Sequence, residues 1–154
     1  MKSAQLTSSV LMVRPASFRS NEETAINNYF QHKSDTDQKG GLVDIARAEF
    51  DNFVSELERN KIQVVVVDDI AENDTPDALF PNNWISFHEN GKAILYPMFA
   101  PNRRRERRID VLSILQRKGF EYAIHADYSQ YENQDRFLEG TGSLVFDREN
   151  KIAY

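Results

Sequence analysis

The apolar positions of this chain fall into short continuous runs and one long periodic one. Ser9-Val10-Leu11-Met12-Val13, closed by Arg14-Pro15, is continuous and predicts a buried strand. From Leu42 to Arg59 the residues Ala46, Phe50, Phe53, Val54 and Leu57 recur at helical spacing. They predict a helix that packs through Phe50, Phe53 and Leu57, with Asn60 as its left-handed stop. Ile62 to Val67 is β-branched apart from Gln63, which predicts a strand buried on both faces. Trp84-Ile85-Ser86-Phe87 and Lys92-Ala93-Ile94-Leu95-Tyr96 flank His88-Glu89-Asn90-Gly91, the signature of a hairpin with an Asn-Gly turn that holds His88. Asn102 then predicts the cap of a helix from Arg103 to Lys118, stopped by Gly119, with Ile109, Leu112 and Leu115 on one face. Phe120 to His125 predicts a further strand. The polar stretch from Ser17 to Gly41 predicts a long loop with at most a short helix near Ala25–Phe30.

Part of this pattern recurs. Ser143-Leu144-Val145-Phe146, the polar turn Asp147-Arg148-Glu149-Asn150, and Lys151-Ile152-Ala153-Tyr154 repeat the first hairpin at an offset of 59 residues. Phe87 falls on Phe146 and Lys92 on Lys151. The same offset lays Phe80-Pro81-Asn82-Asn83 over Glu139-Gly140-Thr141-Gly142. A fixed internal period points to an α/β architecture of repeated β-β-α-β units.

The two overlaid turns carry the candidate chemistry. Pro76 and Pro81 disfavour helix, and each pushes the residue before it to extended geometry. Asp77, Asn82 and Asn83 then lead directly into the Trp84 strand. Such a stretch reads either as an Asx turn that starts a strand or as a binding loop on a rigid scaffold. Glu139-Gly140-Thr141-Gly142 alone would be only a turn.

Composition narrows the classes. With 154 residues the chain is long enough for one domain with a core, and its net charge of −5 disfavours a general nucleic-acid binder. No cysteine is present, which excludes a disulfide, a thiolate metal site and a cysteine nucleophile within these residues. No apolar run approaches a membrane span and the N-terminus has no signal-like core, so the expectation is a cytoplasmic protein with no membrane association.

Phe80-Pro81-Asn82-Asn83-Trp84, Leu95-Tyr96-Pro97-Met98 with Ala100-Pro101-Asn102-Arg103-Arg104, and Phe137-Leu138-Glu139-Gly140-Thr141-Gly142-Ser143 together resemble the arginine deiminase and amidinotransferase superfamily, and within it the citrulline-hydrolase-like amidinotransferases. That resemblance implies a pentein, five β-β-α-β units around a pseudo-fivefold axis. The chain would be one domain, residues 1–154, forming the N-terminal half of the catalytic domain and about two and a half units. It also implies the chemistry: a cysteine attacks a guanidinium or ureido carbon, a histidine moves protons, and acids hold the group under attack. Glu139 matches the acid that pairs with the histidine or binds guanidino nitrogens. Asn83 stands where the arginine deiminases carry an Asp, which suits a ureido oxygen better than a cation. Asp77 and Asn82 are candidate substrate-binding residues. The cysteine and the histidine are expected beyond Tyr154; His32, His88 and His125 lie outside the family's histidine motif. No metal and no cofactor is implied.

The remaining features read as ordinary. Arg103-Arg104-Arg105-Glu106-Arg107-Arg108 sits at a predicted helix start, where positive charge opposes the macrodipole. It reads as a solvated face, with fixed carboxylate partners or a phosphate patch as the alternatives. The acidic stretch Asp68 to Asp77 lacks calcium-loop spacing. A non-catalytic pentein module that binds a protein or ribonucleoprotein partner is the competing class. Cutting a five-unit ring would also expose apolar edges near Val10–Val13 and Tyr154, favouring self-association.

Overall fold

The computed structural model describes residues 5–25 and 41–154. Most of the loop from Ser17 to Gly41, with the short helix expected near Ala25–Phe30 and His32, lies outside the described residues.

Strand β1 (Ser9–Arg14) pairs in parallel with β2 (Gln63–Asp68), Val13 opposite Val67, and the crossover is helix α1 (Leu42–Arg59). Phe50 is buried, as its spacing requires, but Phe53 is exposed. The helix meets the sheet along the line of Val43, Ala46, Phe50, Val54 and Leu57, and Phe53 falls beside that line rather than on it. The chain leaves the helix through Lys61, whose φ is 63°, while Asn60 stays at φ −87°. Only alternate residues of β2, Val65 and Val67, are buried, and Val66 is exposed. The expectation of two buried faces fails because this sheet has two strands and packs its core on one side.

The second sheet runs β3 (Ile85–His88), β4 (Lys92–Leu95), β5 (Ala123–Asp127), with β3 antiparallel and β5 parallel to β4. Asn90 and Gly91 turn the hairpin with φ of 62° and 67°, the left-handed geometry that selects these residue types. His88 is the last residue of β3 rather than part of the turn. Between β4 and β5 the single expected helix is two pieces, α2 (Pro101–Arg104) and α3 (Asp110–Arg117). Asn102 lies inside α2 and is buried, so it is no cap. The break follows from the arginines. Arg104 Nε donates to Met98 O at 3.1 Å, Arg105 Nε to Asn73 O at 2.6 Å, Arg107 Nη2 to Glu132 at 2.9 Å and Arg108 Nη1 to Asp68 O at 2.5 Å. Partners on so many sides cannot be reached from one helical face, and tertiary contacts override local propensity. The expected solvated face is therefore a clamp.

Val65, Val67, Trp84, Ile85, Ala93, Leu95, Met98, Val111 and Leu115 form the core beneath both sheets. A short helix α4 (Gly140–Ser143) precedes the last hairpin, β6 (Phe146–Asp147) with β7 (Ile152–Ala153). Gln5 ties the N-terminal segment to that hairpin, its Nε2 donating to Phe146 O at 2.8 Å.

Candidate functional site

The two turns overlaid by the 59-residue offset touch each other. Pro81–Asn83 is a 3-10 turn, fixed by the Asn83 amide on Phe80 O and the Trp84 amide on Pro81 O. Against it lies α4. A Cβ on Gly140 would stand 2.3 Å from Asn82 O, and one on Gly142 would stand 2.6 Å from Asn83 Oδ1. Gly140 lets the two backbones approach this closely, and Gly142 leaves room for the Asn83 side chain. The Thr141 hydroxyl donates to Asn82 O at 3.4 Å across the same seam.

The seam sets Glu139 beside Asn83. Glu139 Oε2 accepts from Asn83 Nδ2 at 3.2 Å and from Arg103 Nη1 at 3.3 Å, and Oε1 accepts from the Phe99 amide at 2.9 Å. Asp77 reaches the same place from the preceding turn, where the Phe80 amide donates to Asp77 O. Its Oδ2 accepts from Asn21 Nδ2 at 2.6 Å and lies 3.8 Å from Arg103 Nε. Asp77, Asn83, Arg103 and Glu139 line one cleft of about 610 Å³, walled by Phe80, Phe99 and Phe137. Phe99 and Phe137 meet edge to face, with ring centres 5.3 Å apart.

Asn82 is not in this cleft. Its Nδ2 donates to Asn83 Oδ1 at 3.0 Å, and it lines a separate apolar groove of about 600 Å³ between β1 and β3. The two side chains touch, yet Asn82 lines the groove and Asn83 the cleft. His88 borders the groove, not the cleft, and its Nε2 sits 2.7 Å from Ser86 Oγ. Burial, with Arg148, His125 and Lys92 nearby, lowers its pKa.

Three residues of this region have no role in the site as the sequence is read: Arg103, Glu106 and Asn21. Arg103 was one basic residue among several; only its conflict with a helix N-terminus hinted at carboxylate partners. Its side chain is 5% exposed, and it grips Glu106, 1% exposed, through Nε–Oε1 at 2.9 Å and Nη2–Oε2 at 3.1 Å. Burial pushes the Glu106 carboxyl up to about 7 against the pull of Arg103. Asn21 is the third. Its amide exchanges hydrogen bonds with that of Asn102 at 3.2 and 2.6 Å, so the loop after β1 buttresses Asp77. Nothing in Ser20-Asn21-Glu22 signals this.

The carboxylates of Asp77 and Glu139 offer in-plane lone pairs to N–H groups, and Arg103, itself a planar cation, already lies against both. Among the described residues no group of three or more potential ligands is placed to hold a metal ion, and no helix is long and apolar enough to cross a membrane.

The chain is mixed α/β, and the family model that matches it places it with the guanidino-group hydrolase-type penteins. The model of one family in that superfamily, described as N,N dimethylarginine dimethylhydrolase, eukaryotic, matches residues 14–154, and the chain belongs to that family. No curated protein and no solved structure matches it.

Proposed function

We propose that these residues form the N-terminal part of a hydrolase or amidinotransferase acting on arginine- or citrulline-like side chains, akin to the citrulline-hydrolase-like amidinotransferases. The cleft of Asp77, Asn83 and Glu139 receives the guanidino or ureido group. The observation that carries this reading is the meeting of Asn83 and Glu139, 56 residues apart, with Asp77 on one aromatic-walled cleft. Asn82 acts on the substrate only indirectly, by fixing the Asn83 amide. Glu139 accepts N–H bonds from the substrate and orients the proton-transferring histidine. The attacking thiolate comes from outside these 154 residues, which contain no cysteine. The chain is about two and a half units of a five-unit α/β propeller, and the apolar groove along Val10, Leu11 and Met12 is an inner surface of that ring. An isolated chain therefore self-associates through the groove and the exposed Val145 and Tyr154. The site works in the cytoplasm and needs no cofactor.

The test is calorimetric titration of the 154-residue chain with N,N-dimethyl-L-arginine and L-citrulline, alongside an assay for released dimethylamine. The expected result is binding without release, weakened about tenfold or more by Glu139→Gln. Turnover by the pure chain, lost in Glu139→Gln, would overturn the division of labour. Binding unaffected by either Asp77→Asn or Glu139→Gln would overturn the cleft.

A further inference from the structure

The cleft contains a guanidinium of its own. Arg103 enters it between Asp77 and Glu139, the two carboxylates that an incoming cation would use. Unopposed, Arg103 would neutralise one of them and repel the ligand. Its bonds are unequal, however. Glu106 takes two of its nitrogens at 2.9 and 3.1 Å, whereas Glu139 takes one at 3.3 Å and Asp77 lies 3.8 Å away. Glu106 is also the most buried of the three carboxylates and does not line the cleft.

We infer that Glu106 is a positioning and specificity-determining residue: as the dedicated counter-ion of Arg103, it leaves the charges of Asp77 and Glu139 for a cationic ligand. This rests on the cleft being the guanidino site proposed above. With Glu106 ionised, as at pH 8, one positive side chain among three carboxylates leaves two negative charges, and Glu106 decides which two. Asn83 is consistent with this division. It is neutral, and it spends one amide N–H on Glu139 without cancelling its charge. Remove the charge of Glu106 and Arg103 turns wholly to Glu139, so that the cleft keeps its shape but not its preference for a cation.

Two probes of one shape isolate the charge: N,N-dimethylguanidinium and neutral N,N-dimethylurea. Each is titrated at pH 8 into the intact chain, with the Phe99 and Gly142 amides followed by NMR. The wild type is expected to favour the cation. Glu106→Gln should weaken the cation on the order of tenfold and leave the urea within about twofold. The double variant Glu106→Gln with Arg103→Gln should restore the cation to at least wild-type affinity. Equal weakening of both probes in Glu106→Gln, or no weakening of either, would overturn the inference while leaving the cleft assignment intact. A wild type that binds neither probe would remove the assignment and the inference together. Should the single variant not fold, the double variant decides, because it buries no unpaired charge; cation binding weaker than wild type would then overturn the inference.

Discussion

Two Arg–carboxylate pairs in this molecule have nearly the same geometry and opposite electrostatics. On the outer surface, Arg14 of β1 meets Asp51 of α1 through two bonds of 2.8 and 2.7 Å, with side chains 33% and 51% exposed. Behind the cleft, Arg103 meets Glu106 through two bonds of similar length in almost complete burial. The hydrogen bond from Arg14 holds Asp51 below the usual carboxylate range, whereas burial drives Glu106 above it. Bond lengths therefore do not rank the two. What ranks them is how much water each carboxylate has surrendered, and for Glu106 that loss exceeds what Arg103 returns.

The strongest way to break the comparison is to remove one partner of the buried pair. Glu106→Ala leaves Arg103 buried without its main acceptor and is expected to lower unfolding free energy by roughly 3–5 kcal/mol in denaturant titration. Replacing both partners, Glu106→Leu with Arg103→Met, should recover most of that loss. If the double replacement is as damaged as the single, uncompensated charge is not the cause.

A smaller effect separates the pairs by pH. Glu106 has a folded pKa above its unfolded value, so its stabilising contribution is complete below about pH 4.5 and is lost as pH rises toward 7. The sum over that window is on the order of 3 kcal/mol at most. Asp51 has the opposite sign: its contribution is present above the ordinary aspartate range and is lost as pH falls through its lowered pKa. Melting curves of wild type and Glu106→Gln across pH 4.5–8 should diverge in favour of the variant as pH rises. Parallel curves would show that the carboxyl titrates normally.

The smallest effect belongs to the surface. Asp51→Asn is expected to lower the melting midpoint only slightly at neutral pH, and adding salt should shrink that difference further. A clear drop would mean that exposure is not what distinguishes the pairs.

What the sequence discloses follows how local each cause is. Helix α1 ends where its apolar spacing ends, and the β3–β4 hairpin turns on Asn90-Gly91, because both features are written in consecutive residues. The 59-residue offset brings the Asn83 and Glu139 turns into correspondence, and they do meet. For Arg103 the run of like charges hints at fixed carboxylate partners but not at which: Glu106 lies one helical turn on, whereas Asp77 and Glu139 are far away in the chain. The one-sided burial of β2 was hidden for a similar reason, since a run of valines does not say how many layers will cover it. Asn82 and Asn83 look equivalent in sequence, and only the turn's curvature assigns them to different surfaces.

The glycine seam between the turns also bears on how the molecule folds. Each turn forms from neighbouring residues, but the contact between them closes a loop of 59 residues, from Asn82 to Thr141. Closing such a loop costs chain entropy before any contact returns it, so the join forms after the β3–β4 hairpin it rests on. The cleft is therefore expected to complete late in folding and to be among the first features to open under native conditions. The Phe99 amide, whose acceptor is Glu139, is the reporter of that opening: its hydrogen exchange should outpace that of the Leu95 amide in the core sheet, although the two lie four residues apart.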